Sequence, residues 1–226
     1  MALPKLTTPT YELEIPSTDE KVKYRPFLVK EEKILMMAME SKKNADIVQA
    51  VKDIVSECTF NKVNMSDLPM FDVEYIFLQI RSKSVGEVSK IKVLCPDDGK
   101  TYADVEIDLN EVKVQVGDEH TNKIELNKDM GIIMKYPTID SFKESGIQDI
   151  NASNMLEVIS ACILQIYEEG GKKTYDPKDQ TKKELTDFIE QLTTGQFKEV
   201  QSFFDTMPKL KHTIKVKNPK TKKESE

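Results

Sequence analysis

The first 85 residues show two hydrophobic periods, that of a strand pair and then that of helices. Apolar residues alternate with polar ones in residues 11–15 and again in 22–26, with a turn-rich segment between, and this predicts a β-hairpin. Helix-forming residues from Glu31 to about Asn44 predict a short helix. Two longer helices are predicted by apolar residues three and four apart, namely Ile47, Val48, Val51, Ile54, Val55 and Cys58, then Met70, Val73, Ile76, Phe77 and Ile80.

Beyond Gly86 the period changes to two. Ile91, Val93 and Cys95 alternate with other residues before a Pro-Asp-Asp-Gly turn, and residues 105–109 alternate after it. The glycine of this turn can take a positive φ, so the pattern predicts a ribbon-like hairpin. Residues 112–116, 124–126 and 132–136 are predicted to add further short strands.

The helical period returns in the last third of the chain and predicts three more helices, which end at Pro208. Gly170 and Gly171 follow the first, and Gly195 separates the second from the third. Their apolar residues are Met155, Val158, Ile159, Cys162, Ile163 and Ile166, then Leu185, Phe188, Ile189 and Leu192, and finally Phe197, Val200, Phe203, Phe204 and Met207.

Together these elements predict an α+β fold: an N-terminal β-hairpin and two groups of amphipathic helices flanking a small antiparallel β-sheet with a ribbon-like hairpin. The predicted segments are 1–85 (hairpin plus helices), 86–137 (small antiparallel β region), 138–208 (helical region packing on the first) and 209–226 (basic extended tail). No apolar run approaches the roughly 18 residues of a membrane span, and the first residues lack a secretory core, so neither membrane insertion nor export is expected.

The charge is unevenly distributed. The 226 residues carry 33 basic and 39 acidic side chains, a net charge of −6. Residues 209–226 hold seven Lys and two Glu, net +5, which leaves 26 basic and 37 acidic residues, net −11, in the rest. We expect this tail to dock onto an acidic protein surface. Nucleic acid is the weaker alternative, because the tail lacks interleaved aromatic residues for base stacking.

The tail also repeats part of the ribbon-like hairpin. Residues 214–219 match residues 91–96 at four of six positions, namely Ile, Lys, Val and Pro. The match is either chance in a lysine-rich background or a second strand running into a proline turn. If it is real, the return strand would begin where the sequence ends, so a longer natural C-terminus or a partner's strand is expected to complete the hairpin.

Residues 95–99 have the outline of a zinc-ribbon knuckle, Cys-Pro-x-Cys-Gly, but Asp98 stands at the second cysteine. The repeat in the tail has Asn218 and Thr221 at the ligand positions. A structural zinc site needs about four good ligands, so a hairpin that keeps the turn without the metal is preferred. We predict no metal and no cofactor.

The remaining reactive side chains do not form a recognisable catalytic motif. His120 and His212 lie in polar contexts without a nucleophile at a known spacing, and surface positions are expected for both. Cys58 and Cys162 fall on apolar stripes and are predicted to be inert core residues. The cluster Met36, Met37 and Met39 fits a binding face or, preferably, core packing. No catalytic residue is predicted, and the chain is not expected to be an enzyme.

Four stretches of the sequence resemble one family. Residues 23–35 (KYRPFLVKEEKIL), 67–81 (DLPMFDVEYIFLQIR), the Cys95-Pro turn and 203–214 (FFDTMPKLKHTI) are similar to the baseplate hub proteins of T-even-like contractile-tailed bacteriophages. The resemblance implies a structural or assembly protein of the tail baseplate hub. It also implies hub or tail proteins as partners, and a location in the virion after assembly in the host cytoplasm. It leaves open whether the protein is a virion component or a departing assembly chaperone.

Three segments are candidates for partner contacts: 25–30, 67–75 and 209–217, although the first two could simply form local core structure. The residues singled out are Arg25, Pro26, Phe27, Lys209, Lys211, Ile214, Lys215, Val216 and Lys217. The main alternative function is a small nucleic-acid-binding adaptor that uses the ribbon-like hairpin and the basic tail. A hydrolase is disfavoured because no catalytic pair can be named.

Overall fold

The computed structural model describes residues 6–139, 141 and 154–225. The chain divides into two compact units, each built from separate stretches. Unit 1 comprises Met1–Asn64, Phe71–Gln115 and Leu210–Glu226, and unit 2 comprises Met65–Met70 and Val116–Lys209. Helices and several small antiparallel sheets are present, which confirms the α+β class.

Unit 1 begins with the predicted hairpin, formed by β1 (Tyr11–Glu14) and β2 (Lys21–Tyr24). The antiparallel register places Leu13 opposite Val22, and both side chains are buried. Glutamates and lysines face each other at the alternate positions, so one face enters the core while the other stays charged in solvent.

Three helices follow: α1 (Val29–Ser41), α2 (Asn44–Cys58) and α3 (Met70–Val85). The α2 helix buries Ala50, Ile54, Val55 and Cys58, the stripe that its apolar spacing predicts. The α3 helix extends one turn further than predicted. The α1 helix ends at Ser41, and Lys42, which caps it, takes the left-handed conformation with a φ of 57°.

The second half of unit 1 consists of strand pairs. The ribbon-like hairpin is formed by β3 (Val88–Leu94) and β4 (Tyr102–Asp108), and β5 (Lys113–Gln115) pairs with β10 (Lys209–Lys211). Near the C-terminus β11 (Val216–Lys217) pairs antiparallel with β12 (Glu224–Ser225).

The β11–β12 pair corrects the expectation for the tail. The expected return strand lies within the chain, at residues 224–225, where it pairs with residues 216–217. The tail is also not merely extended, because Val216 is buried with Cys95 and Ala103 in a small core cluster. Burial of apolar side chains ties the lysine-rich segment to the rest of unit 1.

Unit 2 is built on a four-stranded antiparallel sheet in the order β6 (Lys123–Glu125), β7 (Gly131–Met134), β8 (Ile163–Glu168) and β9 (Lys173–Tyr175). Ile124, Ile132 and Ile166 occupy neighbouring positions in the register and are all buried. Among its described residues, unit 2 also contains the helices α4 (Met155–Ala161), α5 (Lys182–Glu190) and α6 (Thr194–Thr206).

Gly131 is required where β7 passes between its two neighbours. A Cβ atom at this position would collide with the Tyr167 ring hydroxyl and would come within 2.5 Å of the Ile124 carbonyl oxygen. Only glycine therefore lets β6, β7 and β8 approach each other here.

The predicted helix over residues 155–166 was wrong in its second half. The helix α4 stops at Ala161, and Ile163 to Glu168 form strand β8, which pairs with both β7 and β9. Ile163 and Ile166, three residues apart, fit a helical stripe, yet β-branched side chains also suit a strand. Pairing with two neighbouring strands decided the outcome.

Side-chain caps define the starts of α5 and α6. Thr181 Oγ1 accepts a hydrogen bond from the Glu184 N–H, and Thr193 Oγ1 accepts one from the Gln196 N–H. In return, the backbone N–H of each threonine donates to the side chain of that Glu184 or Gln196. Gly195 was predicted to separate the two helices, but it lies inside the first turn of α6. The break comes at Leu192 and Thr193, because the threonine provides the cap.

The strands predicted as one β region, 86–137, fall in different units. The strands β3 to β5 belong to unit 1, whereas β6 and β7 join β8 and β9 in unit 2. The division into four segments along the chain stays a prediction. Among the described residues, no helix is both long enough and apolar enough to cross a lipid bilayer.

Candidate functional site

The C-terminal segment of unit 1 presents a row of lysines. In residues 213–218 the side chains alternate between exposed and inward positions: Lys215 and Lys217 are exposed, whereas Val216 and Asn218 are buried. Lys209 and Lys211 of β10 are exposed on either side of the partly buried Leu210. We call Lys211, Lys215 and Lys217 the lysine face; Lys209, the last residue of unit 2, is not counted in it. The alternation of an extended chain produces it.

The lysine face is not neutralised by carboxylates of the described chain. None of its three ammonium groups forms an ion pair there. In unit 2, the Lys209 Nζ donates to the Asp205 carbonyl oxygen at 3.2 Å. A row of unpaired cations attracts an acidic surface over about 8 Å at physiological salt. Of the other candidates in this segment, Val216 is buried and Ile214 partly buried, so these two anchor the segment.

Arg25 lies in the interior of unit 1, where it is 9% exposed. Its Nη2 donates to Glu31 Oε1 at 2.9 Å and its Nη1 to the Pro26 carbonyl oxygen at 3.0 Å. The other carboxylate oxygen, Glu31 Oε2, accepts the Leu28 N–H at 2.7 Å, at the start of α1. The pair therefore fixes the turn between β2 and α1.

The rest of this segment also has a structural task. Pro26 is buried and Phe27 half-buried, and the Phe27 N–H donates to Ser84 Oγ on α3 at 2.9 Å. Arg25 and Pro26 therefore offer little surface to a partner in this conformation. In residues 67–75 the apolar side chains Leu68, Phe71 and Val73 are buried, in keeping with the alternative that this stretch forms core structure.

The helix α1 has an exposed apolar surface that the sequence reasoning did not favour. Met36, Met37 and Met39 are 57%, 60% and 60% exposed, so the preferred prediction of core packing was wrong. Together with Val29, which is 80% exposed, they form what we call the methionine surface. Residues 34–39 are six consecutive apolar residues, so they lie on all sides of a helix and cannot all face one core. This run in the sequence indicates that some of them are exposed.

The cysteines are buried and unpaired. Burial raises the pKa of the Cys58 thiol to about 11 and that of Cys162 to about 12, and burial together with Asp97 and Asp98 raises the pKa of Cys95. A thiol with a raised pKa is a poor nucleophile because the thiolate is the reactive form. These cysteines therefore have the environment of core residues.

His120, expected at the surface, is partly buried and contacts side chains of unit 2. Its Nδ1 lies 2.9 Å from Thr206 Oγ1 and its Nε2 lies 3.0 Å from the Tyr136 hydroxyl, and the ring stacks on Tyr136. Burial lowers its pKa and favours the neutral ring. Thr206 Oγ1 itself donates to the Ser202 carbonyl oxygen of α6. The imidazole therefore connects Tyr136 to α6, and none of these contacts is with a carboxylate.

The turn at Cys95 is closed by its own side chains. Asp98 Oδ1 accepts the N–H groups of Lys100 and Thr101, both at 2.9 Å, and Asp98 Oδ2 accepts the Thr101 hydroxyl. Neither this turn nor any other part of the described chain brings together three or more His, Cys, Asp or Glu side chains suited to a metal ion.

Comparison with known proteins gives one family. The family model described as "T4 bacteriophage base plate protein" matches residues 8–226, nearly the whole chain. No curated protein and no solved structure gave a significant match.

Proposed function

Because the chain belongs to the T4 bacteriophage base plate protein family, and is thus a structural protein of a phage tail baseplate, we propose that it helps to build the central hub of that baseplate. It does so by contact with other hub or tail proteins, in the host cytoplasm during assembly. The resemblance of residues 23–35, 67–81 and 203–214 to hub proteins supports the hub over other parts of the baseplate.

The observation that carries the proposal is the pair of unsatisfied surfaces on unit 1. The lysine face carries three exposed cations without carboxylate partners in the described chain, and the methionine surface exposes four large apolar side chains. Exposed apolar surface is favourably buried at a protein interface, and flexible methionines adapt to a partner's shape. Cations without internal partners favour an acidic neighbour.

The chemistry of the site supports contact over catalysis. The buried thiols have raised pKa values, and the partly buried His120 has a threonine and a tyrosine as its hydrogen-bond partners. We therefore propose that the chain acts as a building part or an assembly chaperone, without turnover of a substrate.

Disruption of the gene tests the hub role. We expect phage with an early stop codon in this gene to accumulate incomplete baseplates without a hub, as seen by electron microscopy of purified tail intermediates. Expression of the intact chain from a plasmid should restore complete tails. Complete, infectious tails in the absence of the chain would refute the proposal.

Mass spectrometry of finished particles then separates the two roles within this proposal. A virion component is present in purified tails at a fixed ratio to other baseplate proteins. An assembly chaperone is needed for complete tails but absent from them.

A further inference from the structure

The two proline turns of unit 1 share one backbone geometry. In the first, the Gly99 N–H donates to the Cys95 carbonyl oxygen at 3.0 Å, and in the second the Lys222 N–H donates to the Asn218 carbonyl oxygen at 2.9 Å. Both donors lie four residues after their acceptors and take left-handed conformations, with φ of 61° and 63°. The short sequence repeat is therefore also a repeat of this turn, although the closing bonds of the two hairpins differ by one residue: the Cys95 N–H donates to the Thr101 carbonyl oxygen and the Asn218 N–H to the Lys223 carbonyl oxygen.

The side chains of the two turns also meet. Asn218 Nδ2 donates to Asp97 Oδ1 at 2.8 Å, and Thr221 Oγ1 donates to Asp97 Oδ2 at 2.5 Å. We call these two bonds the carboxylate clasp. Beneath it, Cys95, Ala103 and Val216 form a buried cluster, against which Val93, Val105 and Ile214 pack. The two hairpins are thus joined by a small apolar core and by one shared carboxylate.

Two facing turns of this kind form a metal site in zinc ribbons. Each turn there contributes two cysteines three residues apart, and four thiolates surround the ion. The corresponding positions here are Cys95 and Asp98 in the first turn, and Asn218 and Thr221 in the second.

This donor set does not fit a structural zinc ion. An amide and a hydroxyl are poor zinc ligands, and both already donate to Asp97. Asn218 is 1% exposed, and its carbonyl oxygen Oδ1 accepts the N–H groups of Lys220 and Thr221 at 2.8 and 3.1 Å. Its hydrogen-bonding groups are therefore used within the two turns.

We propose that the β3–β4 and β11–β12 hairpins form a metal-free ribbon, in which the carboxylate clasp holds the C-terminal hairpin in place as a metal ion holds a zinc ribbon. This assignment is independent of the proposed function. It also explains why a lysine-rich C-terminal segment is ordered, since the clasp and the cluster beneath it fix β11.

Hydrogen exchange of the full chain tests the clasp. In Asp97→Ala the buried Asn218 amide loses its acceptor, so exchange of the Asn218 and Lys222 N–H groups should accelerate about three- to tenfold. Asp104→Ala is the matched control, because it removes an exposed carboxylate from the same hairpin but contacts neither turn. Equal exchange rates in Asp97→Ala and the control would overturn the proposal.

Metal binding provides a second, independent test. The purified wild-type chain should contain no stoichiometric zinc, and a chelator should leave its melting temperature unchanged. The variant Asp98→Cys/Asn218→Cys/Thr221→Cys places four thiols at the ribbon positions and should bind one Co²⁺ with a thiolate charge-transfer band, whereas Asp98→Cys alone should not. Zinc in the wild type that stabilises it, or a folded triple variant without a Co²⁺ band, would contradict the metal-free ribbon.

Discussion

Replacing Glu31 with glutamine should destabilise unit 1, because the guanidinium of Arg25 would stay buried without its counter-charge. The Arg25 side chain is 11% exposed and that of Glu31 is 2% exposed, with 2.9 Å between Nη2 and Oε1. Lys30 Nζ also lies 3.2 Å from Glu31 Oε1, but its side chain is 64% exposed. Arg25 is therefore the partner whose charged group stays buried, without solvation by water, when the carboxylate is removed.

The size of the loss follows from these contacts. Removing one member of a buried ion pair costs about 3–5 kcal/mol. In Glu31→Gln, Arg25 keeps its bond to the Pro26 carbonyl oxygen, and the glutamine oxygen can still accept the Leu28 N–H. Both bonds reduce the loss, so we expect the free energy of unfolding to fall by about 3 kcal/mol, at the lower end of that range.

Urea denaturation at pH 7, followed by circular dichroism, measures this change. Lys30→Ala is the matched control, since it removes the exposed cation from the same carboxylate and should cost less than about 1 kcal/mol. A Glu31→Gln variant as stable as Lys30→Ala would refute the view that the buried pair stabilises the turn between β2 and α1.

The same pair predicts a dependence on pH. Burial pushes the pKa of Glu31 up, but hydrogen bonds from Arg25, Leu28 and Lys30 outweigh it, and the net pKa lies below the ordinary value of 4.5. A carboxyl with a lowered pKa stabilises the fold above pH 4.5, and this contribution disappears as the pH falls through the folded-state pKa. The stability difference between wild type and Glu31→Gln should therefore shrink below pH 4.5, and a constant difference would contradict this assignment.

Three further predictions concern the rest of the chain. Gly131→Ala should lower the free energy of unfolding by about 2 kcal/mol, because the added methyl group would clash with neighbouring β-strands. Gly195→Ala should raise it by up to about 1 kcal/mol, because the space around this residue of α6 is open. Thermal denaturation measures both changes. The buried thiols should react with a disulfide reagent at pH 8 far more slowly in the native chain than in guanidinium, and equal rates would contradict their burial. Met36→Ser/Met37→Ser should change the free energy of unfolding by less than about 1 kcal/mol, because both side chains are exposed. Ile54→Ala, at a buried residue, should lower it by about 2–5 kcal/mol. A large loss in the methionine variant would place Met36 and Met37 in the core.

Local periodicity was enough to predict those elements whose partners lie next to them in the chain. The β1–β2 hairpin and the α2 helix follow the expected spacing, because a single buried face determines each. The β3–β4 hairpin forms at the predicted turn, although β3 itself has no buried residue. The lysine face follows from the same rule, since alternate residues of an extended segment point the same way.

Long-range pairing accounts for what the sequence could not predict. Ile163 and Ile166 suit a helix or a strand. The strand is selected by pairing with β7 and β9, which are separate segments of the sequence. The return strand β12 is two residues long and has no apolar pattern. Pattern reasoning needs longer segments to find a strand.

The candidate site was predictable only in part. Composition and alternation predict the exposed lysines. Arg25 is also predicted to contact a partner, but its charge is satisfied within the fold by Glu31, six residues later. A single sequence does not show which charged residue is buried with a partner. The same limit applies to α1, whose apolar run gives no preferred face.

The most direct test of action through protein contacts is a pull-down from infected cells with the tagged, full-length chain. Deleting residues 209–226 would also remove Val216 from a core cluster, so charge-neutralised variants are the better probe. The first variant has glutamine in place of Lys209 and of the lysine face, Lys211, Lys215 and Lys217, and the matched control has glutamine in place of the exposed Lys21, Lys23, Lys42 and Lys43. We predict that wild type and control capture the same baseplate proteins and that the first variant loses most of them. Equal capture by all three chains, or no baseplate protein bound to the wild type, would contradict the account.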